Sequence, residues 1–536
     1  MEAKVYLTGA GPGDPALLTL KAKRAIEKSD VILYDRLANN RFLEYAKTEA
    51  EKIYVGKKAK DHHYSQSEIE ALMIQKVREG KTVCRLKGGD PFIYGRGGEE
   101  ALKLKEAGIK FEIIPGISSS LAVPLYAGIP LTQRHLASSF AVITGHEAAD
   151  KEESTIEIEK TAAAVDTLVV LMGVGKLPQV VERVLAAGKS PETPVALIRW
   201  GSRSEQETIK GELKNIVQKV KKADFKPPAV TVIGEVVNLR DKLQWFEDKR
   251  LLGKNILVTR PRAQADTFLE MIEEQAGNPI LAPAIKIEEP LDKSSLISAL
   301  KSIDQFDYIV FTSVNGVKYF MQALEELGLD LRALAGIKII TIGSKTAAEL
   351  RKKGIRADFM PEDYSTAGIL KYLENLEAEA ELNLNGASFM LPRSDIAPAA
   401  LEQGLRDFGA VAANIEAYRT ERVEISERIV KMIAADEIDL LTFTSSSTVE
   451  NLLKGIKKRL KKIELDQFED ELEKDIEFNS ENIFKKLKGI PAACIGPVTA
   501  ETASRNGLNV QITAAEYTIE GLFNAVLNYY SSEEDF

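Results

Sequence analysis

Short apolar runs rich in β-branched residues alternate along the chain with stretches whose apolar positions recur every three or four residues. This switching between a strand period and a helix period predicts an α/β protein assembled from strand–helix units. The clearest strands are expected at 5–8, 31–34, 111–114, 168–172 and 230–233. A polar, helix-like connector over 238–254 follows, and a fresh strand at 255–259 opens another domain. The expected division is a first domain over 1–245, a linker over 246–254 and a second domain over 255–536.

The second half repeats itself. Phe311-Thr312-Ser313 recurs as Phe443-Thr444-Ser445, and Ile342-Gly343 with Thr346-Ala347 recurs as Ile495-Gly496 with Thr499-Ala500. Tyr364 and Gly368 recur as Tyr517 and Gly521. The later matches lie further apart than the first, which locates an insertion in the second copy. The charge-dense segment 454–488 marks it and is expected to be a solvated helical excursion. Two similar α/β units imply two lobes with a cleft between them, a favoured position for a small-molecule site. The repeated Ser and Thr suit neutral hydrogen bonding, and neither copy carries a Ser-His-Asp, Cys-His or paired-carboxylate set.

Charge narrows the partners. Of 536 residues, 71 are basic and 80 acidic, for a net charge of −9, which argues against non-specific nucleic-acid binding. Cys84 and Cys494 sit in apolar, strand-like runs and are expected to be buried free thiols. They and the four histidines show no ligand-like spacing, so no metal site is expected. No apolar run is long enough for a membrane span and the first residues do not form a leader, so a cytoplasmic protein without a membrane partner is expected.

The richest candidate chemistry lies at 83–100, where a strand runs into Gly88, Gly89 and Asp90, with Gly95, Gly97 and Gly98 before an acidic helix start. Glycines this dense let a ligand approach bare backbone. The loop lacks the Lys-Ser/Thr ending of a phosphate-gripping loop. Asp90 would repel phosphate and suits a cationic or hydroxyl-bearing ligand; a tight structural turn with an N-cap is the plainer alternative. The segment 8–15 with Asp35 has the spacing of a dinucleotide fingerprint. Pro12, however, removes a donor and Asp14 puts negative charge where a pyrophosphate would sit, so a nicotinamide-dependent dehydrogenase is the rival and fits poorly.

The ordered motifs of residues 1–245 resemble those of uroporphyrinogen-III C-methyltransferases, in the tetrapyrrole methylase family. They are Gly9–Pro15 with Leu17–Leu20, Tyr34–Leu37, Val55–Lys58, His62 with Gln66, Arg85–Glu100, Pro115–Ser119, Ala127–Thr132, Thr144–His146 and Pro228–Val230. The resemblance implies two α/β subdomains with S-adenosylmethionine bound between them. It also implies transfer of two methyl groups to uroporphyrinogen III, giving precorrin-2 on the way to sirohaem or cobalamin. Pro12, Gly88, Gly89, Asp90, Ile93, Ser118, Ser119, Met172 and Gly201 would line the donor site, and Asp35 and Lys57 match the proposed catalytic positions. The family also implies a homodimer through this half. Gln133 stands where the family usually has His, so no acid–base role falls to it. Arg36, Lys57, Lys58, Arg85, Arg96 and Arg134 are candidate partners for the substrate's carboxylates.

From 255 onward the chain resembles uroporphyrinogen-III synthase. The motifs are Val258–Pro261, Phe311–Ser313, Gly343–Ala347, Tyr418–Thr420, Phe443–Ser446, Gly496–Ala500 and Tyr517–Gly521. That family has two α/β lobes joined by a two-strand linker, and closes hydroxymethylbilane with inversion of the last ring and no cofactor. Tyr418 matches its proton donor, and Ser313, Thr346, Ser445 and Thr499 match its cleft hydroxyls. The combined expectation is a two-subdomain methylase fold followed by a bilobed synthase fold. A tetrapyrrole-binding carrier without catalysis is the rival from another class.

Overall fold

The computed structural model describes residues 2–56, 64–145, 157–261, 264–283, 285–379, 382–467 and 480–533. The chain forms two compact units, one built mainly from residues up to Ile256 and the other mainly from Leu257 onward.

The first unit holds two five-stranded sheets. One is entirely parallel, in the order Glu51–Tyr54, Val31–Tyr34, Val83–Lys87, Val5–Gly9, Phe111–Ile114. Its side chains alternate between two cores. Val5, Leu7, Val31, Leu33 and Val83 enter one, while Ile32, Cys84 and Leu86 enter the other. Burial on both faces explains why these strands show continuous apolar runs and not a polar–apolar alternation. The other sheet is mixed, in the order Phe140–Thr144, Thr167–Leu171, Ala229–Ile233, Pro194–Arg199, Glu207–Glu212. Ala229–Ile233 runs antiparallel to both of its neighbours.

The expected connector over 238–254 is largely not helical. A 3-10 turn at Glu235–Leu239 and a single α turn at Arg240–Leu243 are followed by bends. Side-chain contacts hold it instead. Phe246 packs edge-on against Tyr126, and Glu247 accepts hydrogen bonds from Gln206 and Thr208.

The second unit also carries two five-stranded sheets, and the chain passes from one to the other and back. One orders Asn278–Leu281, Asn255–Val258, Leu440–Phe443, Pro491–Cys494, Asn509–Thr513. The other orders Ile285–Glu288, Val411–Arg422, Ser388–Ser394, Tyr308–Phe311, Lys338–Thr341. The crossing strands Ile285–Glu288 and Val411–Arg422 pair antiparallel, with Ile285 opposite Arg422. Each repeated motif therefore serves a different sheet.

The segment 454–488 differs from its expected solvated character. The helix Ser446–Gln467 places Ile456, Leu460 and Ile463 in the core, and Ser480–Gly489 adds Ile483 and Leu487. Spacings of four and three residues form an apolar stripe, while the lysines occupy the outer face. The expectation for 468–479 lies outside the described residues.

Candidate active sites

In the first unit, three glycines at strand ends meet backbone to backbone. A Cβ on Gly116 would lie 2.2 Å from the Gly89 carbonyl oxygen, and one on Gly9 would lie 2.4 Å from the Gly116 nitrogen. Gly11 and Gly89, with φ of 74° and 67°, exchange two backbone hydrogen bonds of 3.1 and 2.7 Å. That left-handed geometry is what glycine supplies without a steric penalty. The two loops thereby become one floor.

Above this floor is a cleft of about 640 Å³. Pro12, Gly88, Gly89, Ile93 and Ser119 line it from the parallel sheet, together with Asp35; Met172 and Gly201 face them from the mixed sheet. Two expected site residues adjoin the lining without being part of it. Asp90 is not in the lining: its Oδ1 accepts the Phe92 N–H at 2.8 Å and its Oδ2 the Gly116 N–H at 3.1 Å. Both bonds brace the loop. Ser118 is buried, accepts the Ser120 N–H as a helix cap and meets the Ser120 hydroxyl at 2.8 Å.

Four non-glycine residues of the lining adopt positive φ: Tyr94 at 51°, Arg96 at 58°, Met172 at 55° and Trp200 at 47°. Such strain collects where surrounding structure over-determines the backbone, characteristically at ligand clamps. Trp200 was not foreseen, although it and Gly201 directly follow the strand Pro194–Arg199. Its ring carries the Arg203 guanidinium 4.8 Å from its centroid and that of Arg36 at 5.6 Å. Burial lowers the pKa of Arg203.

The expected cations divide accordingly. Arg85 is buried and donates to the Leu33 and Leu86 carbonyls, to Glu100 and to Asp35 at 3.4 Å, so it is committed internally. Asp35 also accepts the Leu37 N–H at 3.0 Å. Lys87 donates to the fully buried Glu100 at 2.7 Å, and burial holds its pKa below the usual lysine value. Arg96 pairs with Glu99 at the surface, and Arg134 is exposed. Lys57, Lys58, His62 and His146 lie outside the described residues. The dinucleotide alternative loses ground, because Asp14 accepts the Ala16 N–H at 2.8 Å and the Tyr126 hydroxyl at 2.6 Å. A carboxylate fills that helix start.

The second unit has its own cluster. Ser313 begins the helix Val314–Glu326, accepts the Gly316 N–H at 2.9 Å and lies 3.0 Å from the Tyr418 hydroxyl. Tyr418 stacks on Tyr319 with centroids 5.9 Å apart. Burial pushes its phenol above the usual tyrosine value, opposed by the Ser313 bond and by Arg393. Ser445 is half-buried, meets Ser447 at 3.0 Å and follows the strand Leu440–Phe443, in the other sheet from the strand that carries Tyr418. Thr346 and Thr499 are each buried in the first turn of their helices.

The repeat is physical as well as textual. Cβ atoms on Gly343 and Gly496 would strike the rings of Tyr364 and Tyr517 at 2.8 and 3.0 Å. Ser365 and Thr518 cap the N–H of Gly368 and Gly521, both at 2.9 Å.

Comparison with known proteins gives two family matches: Tetrapyrrole (Corrin/Porphyrin) Methylases over residues 4–217, and Uroporphyrinogen-III synthase HemD over residues 266–524. A porphyrin biosynthesis protein HemD of Ruminiclostridium josui is 34% identical over 524 residues, covering 98% of this chain and 97% of that protein. An S-adenosyl-L-methionine-dependent uroporphyrinogen III methyltransferase of Methanosarcina barkeri is 50% identical over 240 residues, covering 45% of this chain and 94% of its own length. A solved uroporphyrin-III C-methyltransferase of Thermus thermophilus, complexed with S-adenyl homocysteine, is 40% identical. It covers 44% of this chain and 100% of its own, with a TM-score of 0.39.

Proposed function

The chain belongs to the tetrapyrrole methylases in its first half and to the uroporphyrinogen-III synthases in its second, and from that premise we propose how its residues divide the work. The protein is a bifunctional enzyme of tetrapyrrole biosynthesis, a C-methyltransferase joined to a synthase. The observation that carries this is the near full-length match to one protein in which both halves occur together. The second half closes hydroxymethylbilane to uroporphyrinogen III, and the first methylates that product to precorrin-2.

S-adenosylmethionine fits the first cleft and would supply an activated methyl group. The floor is bare backbone, and it must stay so, because a Cβ on Gly88 would strike Leu37 at 2.6 Å. Gly88, Gly89, Pro12, Ile93, Ser119, Met172 and Gly201 would hold the donor, so the residues mainly position methyl against pyrrole carbon. Asp35, with one oxygen on Arg85 and one on Leu37, is oriented to receive a proton or a pyrrole N–H. Arg36 and Arg203, both against Trp200, are suited to substrate carboxylates. The family motif gives Lys57 a companion role.

In the synthase half, Tyr418 donates a proton to the departing hydroxyl, with Ser313 orienting the phenol. Ser445, Thr346 and Thr499 belong to the matching helix starts, and no cofactor is needed. The family pattern further assigns a homodimer through the first half and a cytoplasmic location. No described helix is long and apolar enough to cross a membrane.

The test is turnover of hydroxymethylbilane by the purified chain. Uroporphyrinogen III should form without S-adenosylmethionine, and a dimethylated product with it. Formation of only the uninverted isomer would remove the synthase assignment; unmethylated product despite saturating donor would remove the transferase assignment.

A further inference from the structure

Arg393 lies on the strand Ser388–Ser394, beside the irregularity that sets Ser394 opposite Tyr418 on Val411–Arg422. The residue is only 4% exposed, and neither Nε nor Nη1 has a hydrogen-bond partner among the described residues. A guanidinium carries five donors in a planar fork and keeps its charge in proteins. Burying it unmatched is strongly unfavourable, so the site calls for an anion.

Among the described residues, no carboxylate forms an ion pair with it. Glu402, the acid whose charge acts on Arg393, is paired with Arg406. Asp395 accepts from the Ser394 hydroxyl at 2.7 Å and from the Thr420 N–H at 2.9 Å. Tyr418 acts on Arg393 electrostatically, but its hydroxyl is engaged with Ser313. The backbone here has little freedom to rearrange: a Cβ on Gly316 would lie 2.7 Å from the Pro392 carbonyl oxygen. Helix Val314–Glu326 therefore presses on the residue just before the arginine.

We propose that Arg393 receives one side-chain carboxylate of the linear tetrapyrrole substrate and so seats that ring beside the Tyr418–Ser313 hydroxyl pair. The proposal rests on the synthase function and adds to it a substrate-binding residue. A planar fork binds carboxylate in bidentate fashion, which lysine cannot reproduce.

The experiment uses full-length R393M and R393K, with hydroxymethylbilane as the probe. R393M should raise the KM at least tenfold with a smaller change in kcat, and R393K should recover only part of the loss. Methylation of supplied uroporphyrinogen III should be unchanged in both, which controls for folding in the same polypeptide. The melting temperature of R393M should equal or exceed that of the parent, because an unmatched buried charge has gone. A KM within twofold of the parent overturns the proposal. So does a parallel fall of kcat and melting temperature in both variants, the signature of a purely structural arginine. A parent protein that makes no uroporphyrinogen III would instead remove the synthase assignment beneath it.

Discussion

Glu100 accepts Lys87 Nζ at 2.7 Å while its own side chain is closed to solvent. The same Oε1 faces Arg85 Nε at 3.4 Å, and Arg85 reaches on to Asp35. One buried carboxylate thus secures two buried cations that line the cleft of the first unit. Removing one partner of such a group leaves charge uncompensated at a cost of about 3–5 kcal/mol. Glu100→Gln should therefore lower the urea midpoint of the first unit and reduce methylation, with synthase turnover preserved. Unchanged denaturation would show that the cations find solvent.

Tyr418→Phe keeps the ring stacked on Tyr319 and removes only the hydroxyl. If that hydroxyl is the proton donor, synthase kcat should fall roughly 10²-fold or more, with methylation of supplied uroporphyrinogen III intact. Burial raises the phenol's pKa, so the acid form persists beyond the ordinary tyrosine value of about 10. The parent enzyme should accordingly show no loss of activity from Tyr418 ionisation between neutrality and that pH. Ser313→Ala should have a smaller effect, measured by the same assay.

Gly116→Ala and Gly89→Ala should separate space from backbone conformation. The first forces a Cβ to 2.2 Å from a carbonyl oxygen. The second has room, its nearest contact being 3.6 Å, but takes alanine to φ of 67°. A left-handed alanine costs roughly 1–2 kcal/mol, whereas a backbone clash must part the loops. Melting temperature and S-adenosylmethionine titration should both rank Gly116→Ala as the more damaging change.

Burial pushes Cys84 up to about 12 and Cys494 to about 11. In the unfolded chain a thiol ionises near 8.5. Above that pH the unfolded state binds fewer protons, so stability falls as pH rises, by about 1.4 kcal/mol per pH unit for each thiol until its folded value is reached. Below it the contribution is fully present. Replacing both residues with alanine should flatten the alkaline slope of the denaturation free energy. Neither thiol should react with a disulfide reagent in the native protein.

The architecture was legible where side chains face cores at a fixed period, as at Val5, Leu7, Ile32 and Leu33. Glycine density likewise located the cleft floor at Gly88–Gly89. The bracing role of Asp90 was not legible, because an aspartate after glycines looks the same whether it faces a ligand or caps nearby N–H groups. Trp200 and Tyr94 were missed because only tertiary contacts hold non-glycine residues at positive φ. In 454–488, abundant lysines masked the stripe of Ile456, Leu460 and Ile463. Arg393 left no trace in the sequence, since an arginine in a strand ordinarily points to water.

The strand Asn255–Val258 takes its place beside Leu440–Phe443, in a sheet completed by Asn509–Thr513 near the far end of the chain. During translation one of its edges can pair early with Asn278–Leu281, but the other must wait while an entire intervening lobe emerges and folds. Long-range closure of this kind is slow and exposes apolar edges in the meantime. Truncation before Leu440 should hence leave a nascent chain whose first-made synthase strand lacks the neighbour that ties it to the rest of its sheet.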